Sequence, residues 1–189
     1  MTVFQNIRKG LIPARLTVAD VYALQEAGVI DERERFELLD GEIVPMAAAK
    51  FNHHEWMKSA LNRAFVSATS RAVGVFVEAS VALNVDTFVE PDLALWPRQI
   101  GTEEVRCPDI LLLVEVVVSS LAYDLRDKAR RYATAGLADY WVVDAVRKTI
   151  RVHRAPIDGR YRDVEEYEAH DPVNALLLPE VTIRLDTLD

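Results

Sequence analysis

The sequence predicts a mixed α/β fold, a central mixed β-sheet flanked by helices, with a further helix and a β-hairpin added near the N-terminus. Three observations carry that prediction. The run ILLLVEVVV at 110–118 is almost unbroken Ile, Leu and Val, the composition of a strand buried on both faces. Helix-like segments at 53–72 and 123–135 are interspersed with strand-like ones. The chain has 189 residues, 50% of them hydrophobic and 28% charged, which is enough for one well-buried core.

Residues 1–16 are weakly patterned and are expected to form an N-terminal arm, leaving 17–189 as a single domain. Thr17 is placed to cap a helix carrying Val18, Val21, Tyr22 and Leu24, with Gly28 as its stop. RFELLDGEIVPM at 35–46 splits into two apolar runs at Asp40-Gly41, the dipeptide of a two-residue hairpin turn. Met57, Ala60, Leu61, Ala64, Phe65 and Ala68 then form one apolar stripe of an amphipathic helix. After Gly74 the patterning is β-like: VFVEASVALNV, PDLALW and the 110–118 run. The second long helix ends at Gly136, and DYWVVD at 139–144 follows as a short buried strand. TIRVHRA, a polar GRYRD turn region and VTIRLDTL complete the chain with two or three short strands.

The net charge of -8 argues against a protein that coats nucleic acid or an anionic membrane. The excess is uneven, because 126–154 holds eight Lys and Arg against three acids, so any nucleic-acid contact is expected to be confined to that stretch. The single cysteine, Cys107, and four histidines without metal-ligand spacing exclude a disulfide framework and a zinc cluster. No apolar run has the length of a signal peptide core or a membrane span, and the chain is expected to be cytoplasmic. Glycine-rich phosphate loops and a GxSxG elbow are absent.

Glu115 is the first residue that calls for chemistry. A carboxylate in the middle of LLLVEVVV costs several kcal/mol to bury unpaired, so it either meets a cation or faces a cleft. Asp92 opens the apolar strand PDLALW, and two carboxylates on adjacent strands repel unless protonated or bridged by a divalent cation. Oxygen ligands without His or Cys suit Mg²⁺ or Mn²⁺. Pro108-Asp109 reads as the start of the central strand, Cys107 as packing, and Tyr140 and Trp141 as core and interface aromatics.

These stretches carry a resemblance. RFELLDGEIV at 35–44, His54 at the head of the long helix, EPDLAL at 90–95 and the block from Cys107 to Asp144 resemble the Uma-type endonuclease family. That family lies within the PD-(D/E)XK, restriction-endonuclease-like superfamily, and the likeness runs from about residue 17 to the C-terminus. It implies a Mg²⁺-dependent endonuclease, with Mn²⁺ as a substitute, that cleaves DNA and works as a homodimer. Carried over by position, Glu37, Asp92 and Glu115 are the metal-binding carboxylates, Lys128 is the catalytic cation and His54 is an accessory residue. The superfamily lysine two positions after Glu115 is Val117 here, and Lys128 from the following helix takes its place; Val118 is a second departure. Read without the resemblance, Glu37 is an exposed hairpin position and Lys128 part of a solvated helix face. A catalytically silent nucleic-acid-binding or protein-interaction module of the same fold is the alternative.

Overall fold

The computed structural model describes residues 2–31, 33–46, 52–118 and 122–188. In chain order its elements are α1 (Val3–Arg8), α2 (Val18–Glu26), β1 (Phe36–Leu39), β2 (Glu42–Pro45), α3 (Asn52–Ala68), β3 (Val73–Val77), β4 (Val81–Asn84), β5 (Thr87–Val89) and β6 (Leu93–Pro97), then β7 (Leu112–Val117), α4 (Ala122–Thr134), β8 (Asp139–Asp144), β9 (Thr149–Ile157), β10 (Arg160–Tyr167), β11 (Val173–Asn174) and β12 (Thr182–Ile183). They divide into two units, one of Met1–Ala48 with Ser80–Glu90 and one of Ala49–Ala79 with Pro91–Asp189.

The first unit is built on an antiparallel sheet in the order β2-β1-β5-β4. Asp40 and Gly41 both have positive φ, 51° and 79°, the signature of a type I′ turn, and they join the paired residues Leu39 and Glu42. Glycine is needed at 41 for a second reason: a Cβ there would lie 3.1 Å from the Leu16 carbonyl oxygen. Thr17 caps α2 as expected, its hydroxyl accepting the Asp20 N–H at 3.1 Å while Asp20 accepts the Thr17 N–H at 2.8 Å. The stretch expected as an arm contains α1, opened by a Thr2–Gln5 capping box. Val3, Ile12 and Leu16 are buried with Val18, Val21, Phe36, Leu38 and Phe88.

The second unit holds a six-stranded mixed sheet in the order β10-β9-β8-β7-β6-β3. Only β7 and β8 run parallel, because α4 carries the chain from one to the other. On one face Leu112, Val114 and Val116 pack with Leu93, Leu95, Trp141 and Val143 under Met57, Leu61 and Phe65 of α3. Truncating Leu112 or Leu61 to alanine there is expected to cost about 2–5 kcal/mol. The side chains of Leu113 and Glu115 alternate onto the opposite face, where α4 reaches over the sheet.

Three readings of the sequence change. The β-like segment 75–85 is two strands, β3 and β4, which belong to different sheets and are separated at Glu78, whose φ is +51°. GRYRD is not a turn region: the turn sits at Asp158-Gly159, and Arg160–Tyr167 forms a full edge strand with most residues exposed. With six of its eight residues exposed, no period-2 pattern marked it. Tyr140 and Trp141 are wholly buried in a strand interior to the sheet, so they cannot line a dimer interface.

Candidate active site

The antiparallel register of β6 and β7 pairs Leu93 with Val114, Ala94 with Leu113 and Leu95 with Leu112. One step further along that register, Asp92 falls level with Glu115. Residues opposite one another are neighbours across a sheet, so the register sets Asp92 beside Glu115 along the backbone, while their side chains are held from different helices, Asp92 by His54 of α3 and Glu115 by Lys128 and Tyr132 of α4. Asp92 is tied to β7 directly, its Oδ2 accepting the Val116 N–H at 2.8 Å.

Each carboxylate then has its own support. His54, in the first turn of α3, has Nε2 at 3.2 Å from both oxygens of Asp92 and Nδ1 at 3.1 Å from Glu55. The hydrogen bond to Asp92 raises the imidazole pKa above its ordinary value, against the opposing effect of partial burial. Protonated, the ring donates from both nitrogens. One turn along α3, Lys58 donates to Glu55 at 3.1 Å and to Glu78 at 2.5 Å. Burial works to lower the Lys58 pKa, but the hydrogen bonds to Glu78 and Glu55 outweigh it, and the ammonium stays charged.

Glu115 is supported from α4. Lys128 Nζ donates to its Oε1 at 3.0 Å, and the Tyr132 hydroxyl donates to the same oxygen at 2.8 Å. Lys128 and Tyr132 are four residues apart and share one helix face. Lys128 is therefore no solvated helix residue: its ammonium is bound to the buried Glu115.

Glu37 lies on β1 in the first unit, where it is buried and accepts the Glu90 N–H at 3.3 Å. Its burial overturns the reading of it as an exposed hairpin position. Asp109 stands in a short turn before β7, its carboxylate accepting the Arg106 N–H at 2.9 Å. Cys107 is buried, and burial pushes its thiol up to about 12, which leaves it inert near neutrality. The basic stretch at 126–154 is largely spent inside the unit: Lys128 on Glu115, Arg130 and Arg131 on Asp127, Arg147 and Arg151 on Glu166, and Arg154 on Asp139. The acids counted within that stretch omit Glu166, which β10 brings alongside.

Sequence reasoning missed Lys58, Glu55, Glu78 and Tyr132. Lys58 had a signal, since His54, Lys58, Leu61 and Phe65 follow the spacing of a buried helix stripe. Tyr132 had one too, four residues beyond Lys128. Glu78 had none, because its position depends on the backbone break after β3.

The donor set bears on which cation could bind. Among the described residues, no group of three or more His, Cys, Asp and Glu side chains is arranged to hold a metal ion. Carboxylates at neighbouring positions of two strands suit Mg²⁺, which commonly takes one or two carboxylates and completes its shell with water and substrate phosphate.

A mixed sheet with acids at neighbouring positions of two strands, and a lysine returned to them by the crossover helix, defines a restriction-endonuclease-like core. The model of the Uma2 family, described as "putative restriction endonuclease", matches residues 18–186, and the chain belongs to that family. Among solved structures, the fold is similar to that of a "putative nuclease belonging to DUF820" from Anabaena variabilis ATCC 29413, with a TM-score of 0.69 over 90% of this chain and 96% of that one. At 14% identity that likeness is one of fold. The comparison with curated proteins finds no match. No helix among the described residues is long and apolar enough to cross a membrane.

Proposed function

We propose that the protein is an endonuclease that hydrolyses phosphodiester bonds of DNA with the help of Mg²⁺, for which Mn²⁺ can substitute. The observation that carries the reading is the β6–β7 register, which continued by one residue sets Asp92 level with Glu115, together with Lys128 Nζ at 3.0 Å from Glu115. Asp92 and Glu115 would hold the cation, which when bound offsets phosphate charge and lowers the pKa of the attacking water. The other steps belong to this chain's own groups. Lys128 meets a non-bridging phosphate oxygen and offsets the charge that develops as a P–O bond to water replaces one in the backbone. The Val116 N–H and His54 fix the Asp92 carboxylate. The role of Glu37 as a third carboxylate rests on the family resemblance. A homodimer, in which two sites serve the two strands, belongs to the same proposal, and light scattering that gives a monomer removes that part.

The test is cleavage of single-stranded DNA, double-stranded DNA and structured RNA by the purified protein with Mg²⁺ or Mn²⁺. The expected result is cation-dependent cutting of DNA, lost in Asp92→Asn and Glu115→Gln. Inert wild type that still binds DNA independently of metal would replace the enzyme with a silent binding module.

A further inference from the structure

Oε1 of Glu115 receives two donors of different character. The Tyr132 side chain is wholly buried, and its ring packs against Tyr140 at a centroid distance of 4.8 Å; Tyr140 is itself wholly buried in β8 and packs on His153 at 5.2 Å. That hydroxyl is delivered by a short side chain braced by two strands. Lys128 reaches the same oxygen on a long flexible stem whose side chain is 25% exposed. A tyrosine has few rotatable bonds to lose and no room here to lose them, whereas a lysine gives up considerable rotamer freedom to stay in one place. If Lys128 were the only tie, its departure toward a phosphate would release Glu115 at the moment its carboxylate is needed.

We propose that Tyr132 is the positioning residue that fixes the Glu115 carboxylate, and that Lys128 can therefore leave Glu115 for substrate without setting it free. The assignment of Lys128 to substrate rests on the nuclease reading; the hold of Tyr132 on Glu115 does not. Tyr132→Phe keeps the ring packing and removes only the donor. Lys128→Met removes the other donor and keeps most of the stem.

The experiment follows the side-chain carboxyl ¹³C signal of Glu115 in metal-free protein, assigned with Glu115→Gln, alongside Mn²⁺ binding and cleavage. Tyr132→Phe is expected to broaden or split the Glu115 signal, to weaken Mn²⁺ binding by roughly 10–100-fold, as removal of such a supporting partner commonly does, and to lower kcat with little change in KM for DNA. Lys128→Met is expected to leave the signal single and Mn²⁺ binding within a few fold, while cleavage is lost. The proposal is overturned if Tyr132→Phe leaves the Glu115 signal unchanged, or if Lys128→Met mobilises Glu115 as much as Tyr132→Phe does. Wild type that binds no Mn²⁺ and cuts nothing overturns the nuclease reading; a Glu115 signal that still responds to Tyr132→Phe alone then supports the hold by itself.

Discussion

Two lysines stand beside carboxylates in the second unit, and they are held differently. Lys58 is clamped between Glu55 and Glu78, and its side chain is only 7% exposed. Lys128 is paired with Glu115, and its side chain is 25% exposed. A buried lysine with two carboxylates has its charge met inside the protein and contributes mainly to the fold. A lysine reaching in from a helix face toward one strand carboxylate keeps access to solvent and to whatever approaches from it. Access separates the two, and on the proposed reading Lys128 is the cation that meets phosphate.

The sharpest way to break this division is to neutralise each lysine in turn. Lys128→Met is expected to reduce cleavage by roughly 10²–10³-fold, the loss typical of removing one donor that stabilises transition-state charge, beyond any loss of folded protein, since the Tyr132 hydroxyl still donates to Glu115. Lys58→Met is expected to do the reverse. It leaves Glu55 and Glu78 facing one another without their cation and should destabilise the fold by about 1–3 kcal/mol, a range set by the partial exposure of both acids. Cleavage by its folded fraction should persist. Chemical denaturation together with cleavage kinetics on both variants decides it, and a Lys58→Met that stays folded but cannot cut would end the distinction.

A smaller effect separates two histidines. The Asp92 hydrogen bond raises the pKa of His54, so its contribution is fully present below the ordinary value of 6.5 and is lost as pH rises through the raised folded value. Burial, with a lesser push from Arg151, lowers His153 to about 4. The unfolded chain therefore takes up a proton at His153 first, and stability falls as pH drops from 6.5 toward about 4. Thermal melts across this range should show the acid-side loss reduced in His153→Phe and the loss above 6.5 reduced in His54→Gln. Unchanged slopes in both variants would remove these groups from the account.

How legible each part was in the sequence follows from how many faces of it are buried. β7 is covered on both sides, and Glu115 stood out as the one charge in an apolar run. β10 is exposed along most of its length, with Tyr161 and Tyr167 alone partly covered, so it carried no period and read as a turn region. Asp92 was legible because it opens an apolar strand next to that run. Lys128 was not legible by itself, since a lysine among Arg126, Asp127, Arg130 and Arg131 looks like any wet helix face; only the resemblance singled it out. Lys58 and Tyr132 sit at helix positions where apolar residues ordinarily fall, and tertiary structure was needed to show carboxylates waiting for them. α1 was legible in principle through Thr2 and Gln5, whose spacing is that of a capping box.

The central claim is that Asp92 and Glu115 form one cation site. A crystal of the protein soaked in Mn²⁺ tests it most directly. The account predicts an anomalous peak with an oxygen of Asp92 and an oxygen of Glu115 both within about 2.0–2.6 Å of one ion. Mn²⁺ bound by neither carboxylate, or by one of them far from the other, would contradict it.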